Sequence, residues 1–434
     1  MDAGERQVQV RFTTRLGSDL RVEATAFSLP VHLNRYGLSQ IINTLLALDG
    51  PRPFDFLFDG ELIRTTLEQL YLSKNLSAES ILVLEYILAV GPPELQSSQP
   101  EKDWVSAVNG VNPSLILSGS YDSFARAWFP DGTCGSVLKG HSDAITSIAV
   151  AGSSNDTDLD VITSSKDKTL RLWKVGSFDR VSIIVPLKPS SSTLSSVRIF
   201  KGHAASVQCV AANPSNTQVC SGSWDSTIKL WKIDSEDEDN EDEQALKKRK
   251  LDGAKQSIAQ VTAFTTHKEH TQCVAALEWP EDRYIFSASW DHSFRQWDVE
   301  TSINTLTMTC SKALHCLSVG GEGSLLVATG GADPVLRIWD TRMPGTVVPV
   351  LQLTSHTSWI SSCKWHRQSP KHLLTSSYDG TVKMWDIRSK VPLQTVEAHK
   401  DKVLCTDWWR EDTVVSGGAD CEFKLFKYTP IEWL

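Results

Sequence analysis

The sequence predicts a mainly β fold, in which a small N-terminal domain precedes a ring of seven four-stranded blades, a β-propeller. Three observations support this prediction. An eleven-residue segment recurs seven times after residue 104. Its basic period is 41 to 46 residues, which is typical of propeller blades. The first ninety residues lack the recurrence and alternate short strand-like and helix-like patterns instead.

Each copy of the segment places an aspartate six residues before an aromatic residue and four residues after a serine or threonine. The aromatic residue is tryptophan in six copies and Phe426 in the last. Each copy predicts a strand, a tight turn at the aspartate and an alternating strand such as "TIKLW". Because one blade cannot bury its faces alone, seven blades are expected to stack in a ring. The aspartates are Asp122, Asp167, Asp225, Asp291, Asp333, Asp379 and Asp420, separated by 45, 58, 66, 42, 46 and 41 residues.

These copies resemble the WD-repeat family. The Trp-Asp dipeptide occurs at Trp297-Asp298, Trp339-Asp340 and Trp385-Asp386, and the opening Gly-His at Gly140-His141 and Gly202-His203. The resemblance implies a buried, hydrogen-bonded tetrad of histidine, serine or threonine, aspartate and tryptophan in four blades. The implied tetrads are His141, Thr163, Asp167 and Trp173; His203, Ser221, Asp225 and Trp231; His270, Ser287, Asp291 and Trp297; and His356, Thr375, Asp379 and Trp385.

A histidine, a hydroxyl and an aspartate that recur together could also indicate a hydrolase triad. An enzyme needs one active site, whereas this set occurs in blade after blade. We therefore interpret the residues as structural, because a blade interior must satisfy any polar group that it buries.

Two blades depart from the pattern. The fifth has His315 only 18 residues before Asp333 and no Gly-His, so its tetrad is doubtful. The first also lacks a preceding Gly-His. From the family, the outer strand of the last blade is expected near residues 90–103, where it would close the ring between the two ends of the chain.

The longest insertion, at 234–256, is predicted to be disordered because its charge density is too high to pack. Residues 234–243 contain eight acidic residues, and the cluster Lys247, Lys248, Arg249 and Lys250 follows. The basic cluster is either a nuclear-import signal or a solvated loop, and the acidic run could bind basic partners.

The N-terminal domain is predicted to have the order β-β-α-β-β, with a short helix before its last strand. The expected segments are "QVQVRFTT", "LRVEATAFSLP", the helix "LSQIINTLLALD", the strand and turn "FDFLFDGELIR", the helix "TTLEQLYLSKN" and the strand "SILVLEYIL". This order resembles the ubiquitin-like fold. No Gly-Gly tail follows, so a binding module rather than a conjugated modifier is expected. The predicted domains are 1–92, ubiquitin-like; 93–103, a linker with the closing strand; and 104–434, the propeller.

The combination of the two domains, with "RYGLSQIIN" and "PFDFLFDGELIRTTL", resembles the WD-repeat ribosome-biogenesis factors of the PeBoW complex, with Notchless as a related architecture. The resemblance implies a non-enzymatic scaffold for large (60S) ribosomal subunit assembly and rRNA maturation in the nucleolus and nucleoplasm. Its implied partners are pescadillo, the block-of-proliferation WD-repeat protein, pre-60S particles and the AAA ATPase midasin, which would release the factor from pre-ribosomes.

The resemblance also implies that Glu79 contacts the magnesium ion of midasin's adhesion site. A hard cation with an open position prefers an anionic oxygen, and Glu79 stands in a short predicted loop between small residues. Four other acids lie near it and are candidates by composition alone: Asp59, Glu61, Glu68 and Glu85. The default interpretation of any of them is a solvated charge.

Composition limits the remaining possibilities. A formal net charge of −9 argues against a broad nucleic-acid surface, although a local basic patch that contacts rRNA stays open. Nine scattered cysteines without a CxxC pair favour a reducing compartment and make a zinc site improbable. We expect no intrinsic metal, no cofactor, no secretory signal and no membrane segment. The alternative function is a ubiquitin-pathway substrate adaptor.

Overall fold

The structure is a computed structural model with an N-terminal β-grasp domain and a β-propeller, which confirms the predicted fold class. It describes residues 6–48, 50–76, 80–152, 158–176, 192–233, 258–324, 326–343 and 348–428. The insertion predicted at 234–256, with its basic cluster, lies outside these residues. No helix in the described ranges is long and apolar enough to cross a membrane.

The N-terminal domain is a five-stranded sheet, in the order β2-β1-β5-β3-β4, packed against a helix. Its strands β1 and β5 run parallel. Helix α1 begins after Asn34, whose side chain accepts from the Gly37 amide, and α2 begins after Thr66 in a capping box with Gln69. The elements are β1 (Gln7–Thr13), β2 (Ala26–Pro30), α1 (Arg35–Leu46), β3 (Phe54–Phe58), β4 (Glu61–Leu62), α2 (Leu67–Ser73) and β5 (Leu82–Leu88).

The prediction of a strand from Leu20 was wrong for its first half. Residues Ser18–Leu20 form a single 3-10 turn, and the strand begins only at Ala26. The cause is a buried contact far along the chain: Tyr86 Oη accepts from the Val22 amide at 2.8 Å and donates to the Leu20 carbonyl at 2.7 Å. These two hydrogen bonds satisfy backbone groups that a strand would otherwise pair.

Seven further sheets, in the described residues, form the blades. Blades three to six each take four strands in chain order, and blades one and two carry an additional edge strand from an insertion. The strands of blades one to three are β7 (Val105–Asn109), β8 (Ile116–Ser120), β9 (Phe124–Trp128) and β10 (Cys134–Lys139); β11 (Ile145–Ala151), β12 (Asp158–Ser165), β13 (Thr169–Gly176) and β15 (Arg198–Lys201); and β16 (Val207–Ala212), β17 (Gln218–Ser223), β18 (Ile228–Lys232) and β20 (Thr265–His267). The additional edge strands are β14 (Ser192–Leu194) in blade one and β19 (Ala259–Val261) in blade two.

Blades four to seven complete the ring. Their strands are β21 (Val274–Glu281), β22 (Tyr284–Ser289), β23 (Ser293–Asp298) and β24 (Ile303–Thr309); β25 (Leu314–Gly320), β26 (Leu326–Gly331), β27 (Asp333–Asp340) and β28 (Leu351–Thr354); β29 (Ile360–Trp365), β30 (His372–Ser377), β31 (Thr381–Asp386) and β32 (Gln394–Glu397); and β33 (Val403–Trp409), β34 (Thr413–Gly418) and β35 (Glu422–Lys427). The fourth strand of blade seven is β6 (Glu94–Pro100), which comes from the other end of the propeller sequence and pairs antiparallel with β35.

The first strands of neighbouring blades contact each other and therefore lie nearest the ring axis. Hydroxyl groups on these strands bond the backbone of the next blade, as Thr146 Oγ1 does with the Val207 carbonyl and Ser361 Oγ with the Val403 carbonyl, both at 2.7 Å. Because strands alternate in direction, all turns between second and third strands lie on one face of the ring, with the starts of the first strands. We call this the upper face, and the opposite side the lower face.

Candidate functional site

The implied tetrads lie inside blades two, three, four and six as complete hydrogen-bonded sets. In blade three, His203 Nδ1 is 2.8 Å from Asp225 Oδ2, and its Nε2 is 2.8 Å from Ser221 Oγ. The Trp231 indole N–H donates to the same hydroxyl at 2.8 Å. The corresponding atoms of the other three sets lie 2.7 to 2.9 Å apart: His141, Thr163, Asp167 and Trp173; His270, Ser287, Asp291 and Trp297; and His356, Thr375, Asp379 and Trp385.

Burial and hydrogen bonding act in opposite directions on these groups. Burial alone would raise the pKa of Asp225, but the hydrogen bonds from His203, Thr227 and the Ala204 amide hold it well below its usual range. Burial lowers the pKa of His356, so its imidazole is neutral at pH 7 and has one N–H to donate. Each tetrad is thus an ionised aspartate that accepts from several donors within a dry sheet.

The tetrads cannot act as hydrolase triads. The hydroxyl that would be the nucleophile is completely inaccessible: the relative exposure of Ser221 and Thr163 is 0%. It also accepts hydrogen bonds from a tryptophan N–H, which leaves no direction for substrate approach. The geometry therefore stabilises the blade and offers no reactive group to solvent.

In blades one, five and seven, other residues form the hydrogen bonds of the buried hydroxyl and the aspartate. In blade one Glu101 takes the place of the histidine: its Oε1 accepts from Ser118 Oγ, which accepts from the Trp128 N–H at 2.8 Å. Arg126 joins Glu101 to Asp122. Burial raises the pKa of Glu101, and Arg126 opposes that effect. Sequence comparison missed Glu101 because neither its residue type nor its spacing matches the other blades.

Blade five keeps the tryptophan and the hydroxyl but has no histidine beneath them. The Trp339 N–H donates to Thr329 Oγ1 at 2.8 Å, and Asp333 forms an ion pair with Arg337 at 2.6 Å instead. Blade seven has His399, which lies 2.8 Å from Asp420 and 2.7 Å from Ser416, but Phe426 has no N–H to complete the set.

A second feature lies on the upper face and, unlike the tight turn at each aspartate, does not occur in every blade. Five aromatic side chains follow one another across blades three to six, with ring centroids 4.7 to 6.0 Å apart. We call this set the aromatic belt. Its members are Trp224, Trp290, His315, Trp359 and Tyr378.

The belt combines exposed apolar area with unused polar atoms. Trp224 and Trp359 are 49% and 48% exposed, although tryptophan is normally well buried. The Trp290 Nε1 and His315 Nε2 atoms are buried, and neither has a hydrogen-bond partner among the described residues. Lys402 lies beside the belt, with its ammonium 5.3 Å from the centre of the Tyr378 ring. Half-exposed tryptophans in a packed aromatic cluster are typical of surfaces that a partner covers.

The sequence contained a signal for the belt that the prediction did not use. The residue before each repeat aspartate is Tyr, Lys, Trp, Trp, Ala, Tyr and Ala in the seven copies. Three belt members occupy this position, namely Trp224, Trp290 and Tyr378. Each donates its amide N–H to the residue just before a first strand, as Tyr378 does to the Trp359 carbonyl at 3.0 Å. The variable residue before each constant aspartate could therefore have indicated where aromatic side chains lie on the upper face.

Glu79, the predicted contact to a partner's metal, lies outside the described residues together with Ser77 and Ala78. The described flanks are Leu76, after α2, and Ser80, whose carbonyl accepts from Tyr71 Oη at 3.4 Å. Among the alternative acids, Glu61 forms an ion pair with Lys74 at 2.8 Å.

Glu85 pairs with Arg15 at 3.1 Å, so it too has an internal counter-ion. No group of three or more His, Cys, Asp or Glu side chains in the described part of the chain could hold a metal ion.

The centre of the ring is a cavity of about 660 Å³, lined mainly by polar and apolar residues of the first strands. Glu278 and Lys364 lie on its wall: burial raises the pKa of Glu278, and the charge of Lys364 opposes that effect.

Comparison with known proteins agrees with this architecture. The NLE (NUC135) domain family matches residues 8–71, and the WD domain, G-beta repeat family matches residues 132–174, 194–232, 260–298, 301–340, 347–386 and 390–427. The chain is 49% identical to "Ribosome biogenesis protein WDR12 homolog" of Oryza sativa subsp. japonica over 434 residues, which cover 97% of each protein.

The same description applies to two further relatives. The Arabidopsis thaliana protein is 45% identical over 97% of this chain and 96% of its own, and the Chlamydomonas reinhardtii protein is 38% identical over 98% of both. The chain belongs to this WDR12 family of ribosome biogenesis proteins. Family membership confirms the predicted resemblance and gives the chain a role in ribosome biogenesis.

Proposed function

We propose that this family member is a non-enzymatic scaffold for assembly of the large (60S) ribosomal subunit and for rRNA maturation, acting in the nucleolus and nucleoplasm. In this proposal the propeller holds protein partners, and the β-grasp domain docks on midasin so that ATP hydrolysis can release the factor from pre-60S particles. The observation that carries it is the joining of a β-grasp domain to a propeller in one chain of a ribosome biogenesis family.

Glu79 is the proposed contact to the magnesium ion of midasin. A carboxylate of one protein can fill the open coordination position of an Mg²⁺ ion bound in another, because this ion prefers hard oxygen ligands. The ion pairs of Glu61 with Lys74 and of Glu85 with Arg15 favour Glu79 over these two acids, since a paired carboxylate must give up its counter-ion to bind a metal. The basic cluster Lys247, Lys248, Arg249 and Lys250 is proposed as the nuclear-import signal.

The first prediction concerns this contact. Glu79→Gln keeps the shape of the side chain but removes its charge, so we expect at least a tenfold loss of affinity for the midasin adhesion domain in magnesium. Calorimetric titration of the full chain measures it. Glu68→Gln, an acid on α2 of the same domain, is the matched control and should bind as the unchanged chain does.

The same titration with EDTA in place of magnesium completes the test. The unchanged chain should then bind as weakly as Glu79→Gln does with the metal present. If Glu79→Gln binds normally in magnesium, the proposed contact is wrong. In cells, a true contact should also leave the Glu79→Gln protein accumulated on pre-60S particles in sucrose-gradient sedimentation, because release would fail.

The aromatic belt is the surface that we propose for the propeller's protein partners in the PeBoW complex, pescadillo and the block-of-proliferation WD-repeat protein. Exposed tryptophan in a packed cluster is the residue type that most often dominates protein interfaces. The net charge of −9 favours a protein over the rRNA backbone as the occupant, since phosphate binding needs a basic footprint.

A further inference from the structure

At β3 and β4 the outer face of the β-grasp sheet is buried, although the apolar core of the β-grasp domain does not extend to it. Strand β3 shows this most clearly, because both of its faces are inaccessible. Phe54 and Phe56 point into the core between the sheet and α1. Asp55 and Leu57 point the other way, yet they are only 3% and 1% exposed.

Leu57 belongs to no part of the domain's own core. The apolar cluster of the β-grasp domain includes its neighbours Phe56 and Ile63 but neither Leu57 nor Leu62, which is 9% exposed. Something outside the domain must therefore remove these two leucines from water.

The covering element is the turn between β31 and β32, on the lower face of blade six. Leu57 and Ile87 line a small cavity together with Arg388 and Leu393 of that turn. The amide of Leu62 donates to the Arg388 carbonyl at 3.2 Å, so the exposed edge of β4 is paired with the propeller backbone.

A second contact joins the domains at the linker. The side-chain amide of Gln394, in β32, donates to the Val90 carbonyl at 2.7 Å. Val90 is 8% exposed and packs in one apolar cluster with Leu374 and Tyr428 of blades six and seven. The first residue after the β-grasp domain is thus held by the propeller's core.

Asp55 and Arg388, at the contact, each form ion pairs within their own domain. Asp55 accepts from Arg35 at 2.8 Å and from Arg64 at 3.0 Å, and Arg388 pairs with Asp386 at 2.7 Å. The described contacts across the interface are therefore apolar packing and hydrogen bonds to backbone carbonyls.

We infer that the outer face of the β-grasp sheet is a docking surface for the chain's own blade six, which holds the two domains as one rigid body. While the domains are docked, the part of this face at Leu57 and Leu62 is closed to any other protein, whereas Val83 on β5 stays exposed. The inference bears on the ubiquitin-pathway alternative, because a recognition surface that includes these two leucines would have to be uncovered first.

Docking also gives a mechanical consequence, which rests on the proposed release by midasin. Strand β5 ends at Leu88 and β6 begins at Glu94, so a pull on the β-grasp domain reaches the propeller within a few residues. Strand β6 is the outermost strand of blade seven and is largely exposed, which makes it easy to peel. The contact with blade six provides a second path for the load and protects the closing strand.

Hydrogen exchange at the Leu62 amide tests the docking directly, with no partner present. In the unchanged chain we expect this amide to be protected, because it bonds the Arg388 carbonyl. Leu393→Glu changes only the propeller side, so it cannot damage the β-grasp fold. It should raise the exchange rate of the Leu62 amide at least tenfold and leave the buried Val10 amide of β1 unchanged.

Two further variants complete the design. Leu57→Glu should have the same effect as Leu393→Glu, and both should let the β-grasp amides tumble faster than the propeller amides in NMR relaxation. Val83→Glu, on the same face of the sheet but 45% exposed, should change neither measurement. Unprotected exchange of Leu62 in the unchanged chain, or no response to either leucine substitution, would overturn the inference. Because midasin is absent, that failure is distinct from failure of the release proposal.

Discussion

The interiors of the blades and the aromatic belt are built from the same kinds of side chain but follow opposite rules. Inside the blades, histidine, hydroxyl, aspartate and tryptophan occupy equivalent positions four times, and their polar atoms are satisfied. On the belt, the aromatic residues differ from blade to blade, and two nitrogens have no partner in the described residues. A repeated and satisfied set indicates stability, whereas a set that is unrepeated and unsatisfied indicates recognition.

Blade one sharpens this contrast. Its tryptophan still donates to a buried serine, but Glu101 and Arg126 replace the histidine beneath it. The requirement is therefore for a polar group that satisfies the buried hydroxyl, and a histidine is only one way to meet it. The substitution changes the chemistry of the blade interior without changing the path of the chain.

The largest expected effect comes from removing the aspartate of a complete tetrad. Asp225→Ala removes the carboxylate that accepts from His203 Nδ1, Thr227 Oγ1 and the Ala204 amide, so these three donors lose their shared acceptor inside the blade. We expect a loss of about 3 kcal/mol or more in the free energy of unfolding, measured by urea denaturation. The exposed acid Glu281, changed to alanine, serves as the control and should cost little. Equal stability of the two variants would contradict the structural role.

A smaller loss is expected when only the indole N–H is removed. Trp231→Phe keeps an aromatic ring in the blade but deletes the donor to Ser221, whose hydroxyl still bonds His203. The free energy of unfolding should fall by about 1–2 kcal/mol in the same urea experiment. The reference is blade seven, where Phe426 already stands at this position, so Phe426→Leu should not cost a hydrogen bond. A loss for Trp231→Phe as large as that for Asp225→Ala would mean that packing, not the donor, dominates.

The smallest effect is a dependence of stability on pH. Burial lowers the pKa of His372 to about 4, below its ordinary value near 6.5, so the unfolded chain binds its proton at a higher pH than the folded chain. The stability from this residue should be complete well above pH 6.5, and should fall by about 1 kcal/mol at pH 6 and about 2 kcal/mol at pH 5. His372→Gln should make the decline shallower in urea titrations between pH 7 and 5, while other buried histidines such as His356 maintain the rest of it.

Sequence reasoning recovered what recurs along the chain. The tetrads of four blades were predictable because one spacing of four residue types is repeated, and the tight turn at each aspartate follows from the same repetition. The cap of α2 at Thr66 was predictable from its local sequence. In each case the deciding interaction lies within one blade or one helical turn.

What sequence reasoning missed depends on contacts between distant residues. The bond between Tyr86 Oη and the Val22 amide spans 64 residues and displaced the predicted start of β2. Glu101 was missed because it reaches Arg126 from the linker before the first blade. The belt required knowledge of which turns become neighbours when the ring closes, and the burial of Leu57 required the position of a second domain.

The most direct test of the contrast between interior and surface compares Trp359→Ala with Trp231→Phe in binding to the reconstituted partners of the PeBoW complex. We expect Trp359→Ala to weaken binding about tenfold or more while its urea midpoint stays at that of the unchanged chain. Trp231→Phe should do the reverse. Its urea midpoint should be lower, but its affinity for the partners, measured without urea, should be unchanged. If Trp359→Ala binds normally and is stable, the belt is not the partner surface, and the central claim fails.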